Sequence, residues 1–180
     1  MQGAFRLTLV SILMTAAATP VRAQDTRALG DDPAVHYYDF WEGTWHQVVD
    51  GKVDTTRTVF YVRRDVHPAA FVERWRLVID SATTLHATAL RAWDKTKRRW
   101  MYTWISDNGL YQVWEGRLVG THWYMYREFD VQGDRYLSRQ AWIPNGPNRL
   151  VRTSERSDDR GRTWQTRFRE EYERWTTSLE

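Results

Sequence analysis

The chain contains no cysteine, and beyond its first 23 residues it contains no long apolar run. The missing thiols exclude disulfides, thiolate metal sites and a lipid-modified cysteine anchor. The missing apolar run excludes a helical membrane span, which needs about 20 apolar residues. The fold must therefore be held together by its own core.

Residues 1–23 have the composition of a signal peptide. Arg6 precedes a short apolar run without acidic residues, and Val21 and Ala23 supply the small residues that a signal peptidase recognises. Cleavage after Ala23 is predicted, although a retained N-terminal helical anchor is the alternative. We expect an exported protein, periplasmic or extracellular, with a flexible segment over 24–35 and a single domain over 36–176.

The charge balance and the histidine spacing argue against two kinds of partner. After residue 23 the chain keeps 24 basic and 23 acidic side chains, so its net charge of about +1 does not favour nucleic acid. The histidines show no metal-binding spacing. We predict no metal and no cofactor; the histidines are His36, His46, His67, His86 and His122.

From residue 44 the chain alternates apolar and polar residues, and turn signals interrupt it every 8 to 12 residues or so. Nine such turns predict ten strands. The short connections make consecutive strands antiparallel, and such a meander avoids exposed edges by closing into an up-and-down barrel. Only 34–42 suggests a helical or 3₁₀ turn. The turns lie at 50–52, 64–68, 80–84, 94–99, 107–109, 119–121, 132–134, 144–148 and 157–162.

Pairing the strands hairpin by hairpin predicts a polar belt inside this barrel. Glu73 is expected opposite Arg91, and a two-residue turn at Asn108-Gly109 then carries the belt onward. The predicted belt is Glu73, Arg91, Tyr102, Glu115 and Tyr124, with Arg139 beside Tyr126, and the predicted aromatic lining is Trp75, Trp93, Trp100, Trp104 and Tyr126. A register slip of one residue would turn every later side chain to the other face.

The start of the first strand resembles a known family. Phe40, Gly43 and Trp45 form a Phe-x-x-Gly-x-Trp motif, and a tryptophan-rich segment follows at 95–104. This pattern is similar to the lipocalin (calycin) barrels, above all to uncharacterised bacterial lipocalin-like domains. The resemblance implies a ligand-binding barrel in which Trp45 packs across a closed end. No histidine follows His122, which excludes a haem ligand near the C-terminus.

A second motif, 157–164, matches the Ser-x-Asp-x-Gly-x-Thr-Trp box of sialidases. In that family the box is a hairpin turn rather than a catalytic element. The resemblance implies structural roles for Asp159, Gly161 and Trp164 at the last hairpin.

Three functions are compatible with these observations. The first is binding of a small apolar or aromatic molecule inside the barrel, oriented by the polar belt. The second is an enzyme in which Glu73 or Glu115 acts as general acid or base beside Arg91. The third is a filled barrel serving as a structural or interaction module of the cell envelope.

Overall fold

The structure, a computed structural model, describes residues 32–175 and consists almost entirely of β-strands. A 3₁₀ helix, Pro33–His36, precedes eleven antiparallel strands. The strands are β1 (Gly43–Val49), β2 (Lys52–Val53), β3 (Val59–Arg64), β4 (Ala70–Val78), β5 (Thr84–Asp94), β6 (Arg99–Ser106), β7 (Tyr111–Val119), β8 (His122–Val131), β9 (Asp134–Pro144), β10 (Arg149–Ser157) and β11 (Gln165–Arg174).

The sheet closes on itself. Each strand from β3 to β10 pairs with the next, β1 pairs with β3, and β11 pairs with β1. Ten strands therefore form a closed barrel, and the two-residue β2 only extends the first hairpin. The prediction of a closed antiparallel meander of about ten strands is confirmed.

Of the helical or 3₁₀ turn expected over 34–42, the structure has a 3₁₀ helix, Pro33–His36, followed by turns, and no α-helix occurs in the described range 32–175. No helix in that range is long and apolar enough to span a membrane. The predicted signal peptide, 1–23, lies outside the described residues.

The segment 32–42 covers one end of the barrel, which we call the closed end. Val35, Tyr38 and Trp41 are buried there. The indole N–H of Trp100 donates to the carbonyl oxygen of Ala34 at 2.9 Å, which fixes the segment to β6. Since burial of large aromatic groups stabilises a fold strongly, this cover belongs to the core.

Gly43 joins this cover to β1 and takes a φ of +132°, which side chains other than glycine rarely adopt. A Cβ at this position would lie 3.2 Å from Nη1 of Arg174, the last residue of β11. The Arg174 guanidinium lies 4.6 Å from the ring centroid of Trp45 and donates to the carbonyl oxygens of Phe40 and Glu42. The motif around Gly43 thus ties the first strand to the last.

The hairpin between β6 and β7 was expected to turn through two residues, Asn108 and Gly109, but it turns through three. Asp107 is held by the neighbouring strand β5. Its N–H donates to the carbonyl oxygen of His86, and its carboxylate accepts from the N–H of His86, both at 2.9 Å. Asp107 is therefore part of the loop and not of the ladder.

This one-residue difference turns the following side chains around, as the period of two requires. Tyr102 pairs with Trp114, so the predicted interior position of Glu115 is wrong. Glu115 lies on the outer face, where it pairs with Tyr126 across β7 and β8. The interior positions predicted for Tyr124, Tyr126 and Arg139 are wrong for the same reason, although Tyr126 does pair with Arg139.

Among the glycines of the described residues, Gly116 has the least room for a side chain. A Cβ there would lie 2.6 Å from the carbonyl oxygen of Trp100 and 3.0 Å from Cε3 of Trp123. We expect Gly116→Ala to lower the free energy of unfolding by about 1–3 kcal/mol, because a backbone oxygen cannot yield as a flexible side chain can. Urea unfolding followed by circular dichroism measures this. Arg117→Ala, on the outer face, is the control, and equal stability of the two variants would contradict the expectation.

Candidate functional site

Glu73 and Arg91 form an ion pair at the centre of the barrel. Both side chains are fully buried, and Nε of Arg91 donates to Oε1 of Glu73 at 2.8 Å. The sequence predicts that these two residues lie directly opposite each other, and this register is wrong. Glu73 pairs with Ala89 and Arg91 with Phe71, a shift of two residues that keeps both side chains on the inner face.

The Glu73 carboxylate accepts two further hydrogen bonds from indole groups. Nε1 of Trp41 donates to Oε1 at 2.8 Å, and Nε1 of Trp75 donates to Oε2 at 2.9 Å. Trp41 belongs to the segment that covers the closed end. Docking of that segment is therefore coupled to the ion pair.

The Arg91 guanidinium lies inside a cage of aromatic rings. Its Nη1 and Nη2 have no hydrogen-bond partner among the described residues. The aromatic ring faces stabilise the guanidinium instead, since the quadrupole of an aromatic ring attracts a cation. The guanidinium carbon is 4.2 Å from the ring centroid of Trp142, 4.5 Å from Tyr38, 4.6 Å from Tyr102 and 5.0 Å from Trp41.

Burial and charge act on the pKa values of this cluster in opposite directions. Burial lowers the pKa of Arg91, but the Glu73 carboxylate raises it, and the net change is upward. Burial raises the pKa of Tyr38 to about 12 and that of Tyr102 well above its ordinary value. Arg91 therefore keeps its charge, and both phenols stay neutral at physiological pH.

At the end of the barrel opposite the cover, inward-facing side chains are partly exposed, and we call the interior at this end the chamber. Trp75 and Trp114 lie deepest in it and are buried. Above them, several side chains are partly exposed although they point inward, so solvent reaches the interior at this end. These residues are Leu77, Trp104, Gln112, Phe129, Gln140, Phe168 and Glu170.

A second buried arginine, Arg152, lies on the wall of the chamber. Its Nη1 donates to Oε2 of Glu170 at 3.1 Å, and its Nη2 donates to Oε1 of Gln140 at 3.1 Å. The hydroxyl of Tyr172 also donates to Oε2 of Glu170, at 2.9 Å. Burial lowers the pKa of Arg152 and the Glu170 carboxylate raises it, with a net increase.

The predicted binding residues thus divide into four groups. Glu73, Arg91 and Tyr102 meet at the centre, Trp75 and Trp104 line the chamber, and Trp93 and Trp100 pack at the closed end. Glu115, Tyr124, Tyr126 and Arg139 make up the fourth group, on the outer face.

The outer-face group makes contacts of its own. Glu115 pairs with Lys97 at 2.6 Å and with Arg99 at 3.2 Å, and its carboxylate is 43% exposed. Arg139 pairs with Glu155 at 2.6 Å.

The last hairpin loop, between β10 and β11, carries the second sequence motif. Asp159 accepts from the N–H groups of Arg162 and Thr163 at 3.0 and 2.9 Å. Hydrogen bonds with Thr163 and Ser157 lower the pKa of Asp159 well below its usual range. Trp164 packs on the outside of the barrel, 4.0 Å from the Arg139 guanidinium. Asp159 and Trp164 therefore shape the turn and the outer surface of the barrel.

Sequence reasoning missed most of the chamber. Trp114 and Gln112 would have followed from the correct turn at 107–109, because they share the inner face of β7. The sequence did not indicate that Arg152 and Glu170 point inward, since charged residues in a strand ordinarily indicate a face exposed to solvent.

The placement of the two candidate acids bears on catalysis. Glu73 is enclosed and holds three donors, whereas Glu115 lies on the opposite face of the wall. The two carboxylates therefore do not share a site. Within residues 32–175 no group of three or more histidine, aspartate or glutamate side chains could hold a metal ion.

Neither a protein-family model nor a curated protein matches the chain. The closed antiparallel barrel is consistent with a lipocalin-like fold.

Proposed function

We propose that this protein is an exported, lipocalin-like carrier or sensor that binds a small, largely aromatic or apolar molecule in the chamber. One observation carries the proposal. Side chains that face the interior, such as Trp104 and Phe168, remain partly exposed, whereas those near Arg91 are sealed. Binding sites of this kind combine mostly apolar walls with a few polar groups, and the chamber has both.

The Glu73–Arg91 pair supports the site from below and does not contact the ligand. Every aromatic ring around Arg91 is at least nine-tenths buried, and the pair is closed off by Trp75 and Trp142. Its role is to hold the floor in one arrangement. The predicted belt is thus replaced by a sealed centre and a separate chamber above it.

Filling the chamber tests the proposal. The probe is N-phenyl-1-naphthylamine, a neutral dye whose fluorescence rises in apolar surroundings. Ala87 faces inward near the rim, next to Trp75 and Ser106 across the strands. We expect Ala87→Phe to weaken dye binding about tenfold or more, since its ring would occupy the space that the dye needs.

His86→Phe is the matched control, because His86 lies next to Ala87 on the outer, exposed face of β5. It should bind the dye as the unmodified protein does. Equal binding by Ala87→Phe and His86→Phe would contradict a site in the chamber. No dye binding by the unmodified protein would favour the filled barrel instead.

A further inference from the structure

The polar groups of the chamber are mostly hydrogen-bond donors. Gln112 accepts from Nε1 of Trp114 at 3.2 Å, and Gln140 accepts from Nη2 of Arg152 at 3.1 Å. Indole and guanidinium groups only donate, so each glutamine must present its carbonyl oxygen to them. Both glutamine amide nitrogens are therefore left to donate elsewhere.

Arg127 adds a positive charge to the same wall. It alternates along β8 with Met125, which is buried in the core, and with Phe129, whose ring contacts Trp114. Its guanidinium lies 4.8 Å from the Phe129 ring centroid, and Nη1 donates to the carbonyl oxygen of Tyr111 at 3.4 Å. Arg127 makes no ion pair with any residue in the described range.

The three donors come from three adjacent strands. Gln112 is on β7, Arg127 on β8 and Gln140 on β9. Arg127 pairs across with Ser138, two residues from Gln140, and it reaches the backbone next to Gln112. Diagonal neighbours in a sheet are close enough for long side chains to contact one ligand.

The carboxylates near the chamber are already engaged. Glu170 is held by Arg152 and Tyr172. At the rim, Asp134 and Asp158 both contact Arg156, and their side chains are more than half exposed, so water screens their charge. Arg127, on the inner face of β8, has no carboxylate partner in residues 32–175, and burial lowers its pKa, an effect that the nearby Tyr136 offsets only in part.

We infer that the ligand of the chamber is an aromatic carboxylate, whose anionic group lies between Arg127 and the amides of Gln112 and Gln140. This inference rests on the proposed function and specifies its ligand class. The ring system of the ligand packs against Trp104 and Phe168. A carboxylate supplies acceptors only, which complements a wall of donors and adds a charge-assisted hydrogen bond.

The test compares 2-naphthoate with 2-naphthamide by isothermal titration calorimetry. The two probes have nearly the same shape and differ in charge. We expect the unmodified protein to bind the naphthoate about tenfold or more tightly than the amide. Arg127→Gln should remove this preference by weakening naphthoate binding alone. Arg117→Gln, which removes an arginine from the outer face of the adjacent strand, should leave both affinities unchanged.

The outcomes separate the ligand class from the proposed function. If the amide binds as tightly as the naphthoate, or if Arg127→Gln keeps the preference, the carboxylate inference is wrong and the chamber still binds aromatic molecules. If neither probe binds at millimolar concentration, the inference and the proposed function both fail.

Discussion

Arg91→Met is expected to lower the free energy of unfolding by about 3–5 kcal/mol, because it leaves the Glu73 carboxylate buried without its cation. The two indole donors to Glu73 remain, but they carry no charge. Desolvation of a carboxylate costs several kcal/mol, and only the guanidinium offsets it at this position. Urea unfolding followed by circular dichroism measures the loss.

Two further variants identify the cause of this loss. The double variant Glu73→Leu with Arg91→Met should recover much of the lost stability, since it removes both charges together. Lys97→Met breaks the half-exposed pair with Glu115 and should cost less than about 1 kcal/mol. A cost for Arg91→Met no larger than that for Lys97→Met would show that the central pair does not stabilise the fold.

Trp41→Ala is the second substitution with a large expected effect, again about 3–5 kcal/mol. Trp41 is fully buried and contacts Trp45, Phe60 and Trp142. Its removal leaves a cavity beneath the cover and takes one hydrogen-bond donor from Glu73. Thermal unfolding measured by calorimetry reports the change.

The two contributions of Trp41 can be separated by Trp41→Phe, which keeps an aromatic ring and loses the indole N–H. We expect Trp41→Phe to be less stable than the unmodified protein and more stable than Trp41→Ala. The missing indole N–H alone should cost about 1–3 kcal/mol, since it leaves a buried acceptor without one of its donors. Trp175→Ala is the control, because that side chain is 52% exposed. If Trp41→Ala and Trp175→Ala unfold at the same temperature, Trp41 does not hold the cover in place.

The sequence was sufficient to predict the barrel and its centre, and insufficient for the second half of the wall. Glu73 and Arg91 stand on strands with clear apolar faces, so their inward direction follows from alternation even when the register is off by two. Tyr102 follows from the same reasoning, and its pairing with Arg91 is confirmed.

The error arose at a single loop. Asn108-Gly109 is a strong signal for a two-residue turn, yet hydrogen bonds between Asp107 and His86 fix a three-residue loop. Those bonds come from His86, on a strand 21 residues earlier, which local turn preferences do not take into account. A one-residue difference then moved Glu115 and Tyr124 from the inner to the outer face.

The strand β10 escaped prediction for a different reason. Its inner face carries Leu150, Arg152 and Ser154, and its outer face also contains the buried Val151. Neither face is uniformly apolar, so the alternation of apolar and polar residues does not show which face of β10 points into the barrel. Arg152 is compatible with the interior because Glu170 balances its charge and accepts a hydrogen bond from Nη1, and Gln140, on another strand, accepts one from Nη2.

The contacts of Arg174 with the start of the first strand constrain the order in which the chain folds. The guanidinium of Arg174 contacts Glu42 across 132 positions of sequence, and the N–H of Trp175 donates to the carbonyl oxygen of Thr44 at 2.7 Å. A nascent chain on the ribosome cannot form these contacts before synthesis has passed residue 175. Until then β1 and β10 each lack their partner β11 along one edge. Closure of the barrel is therefore a late and non-local step in folding.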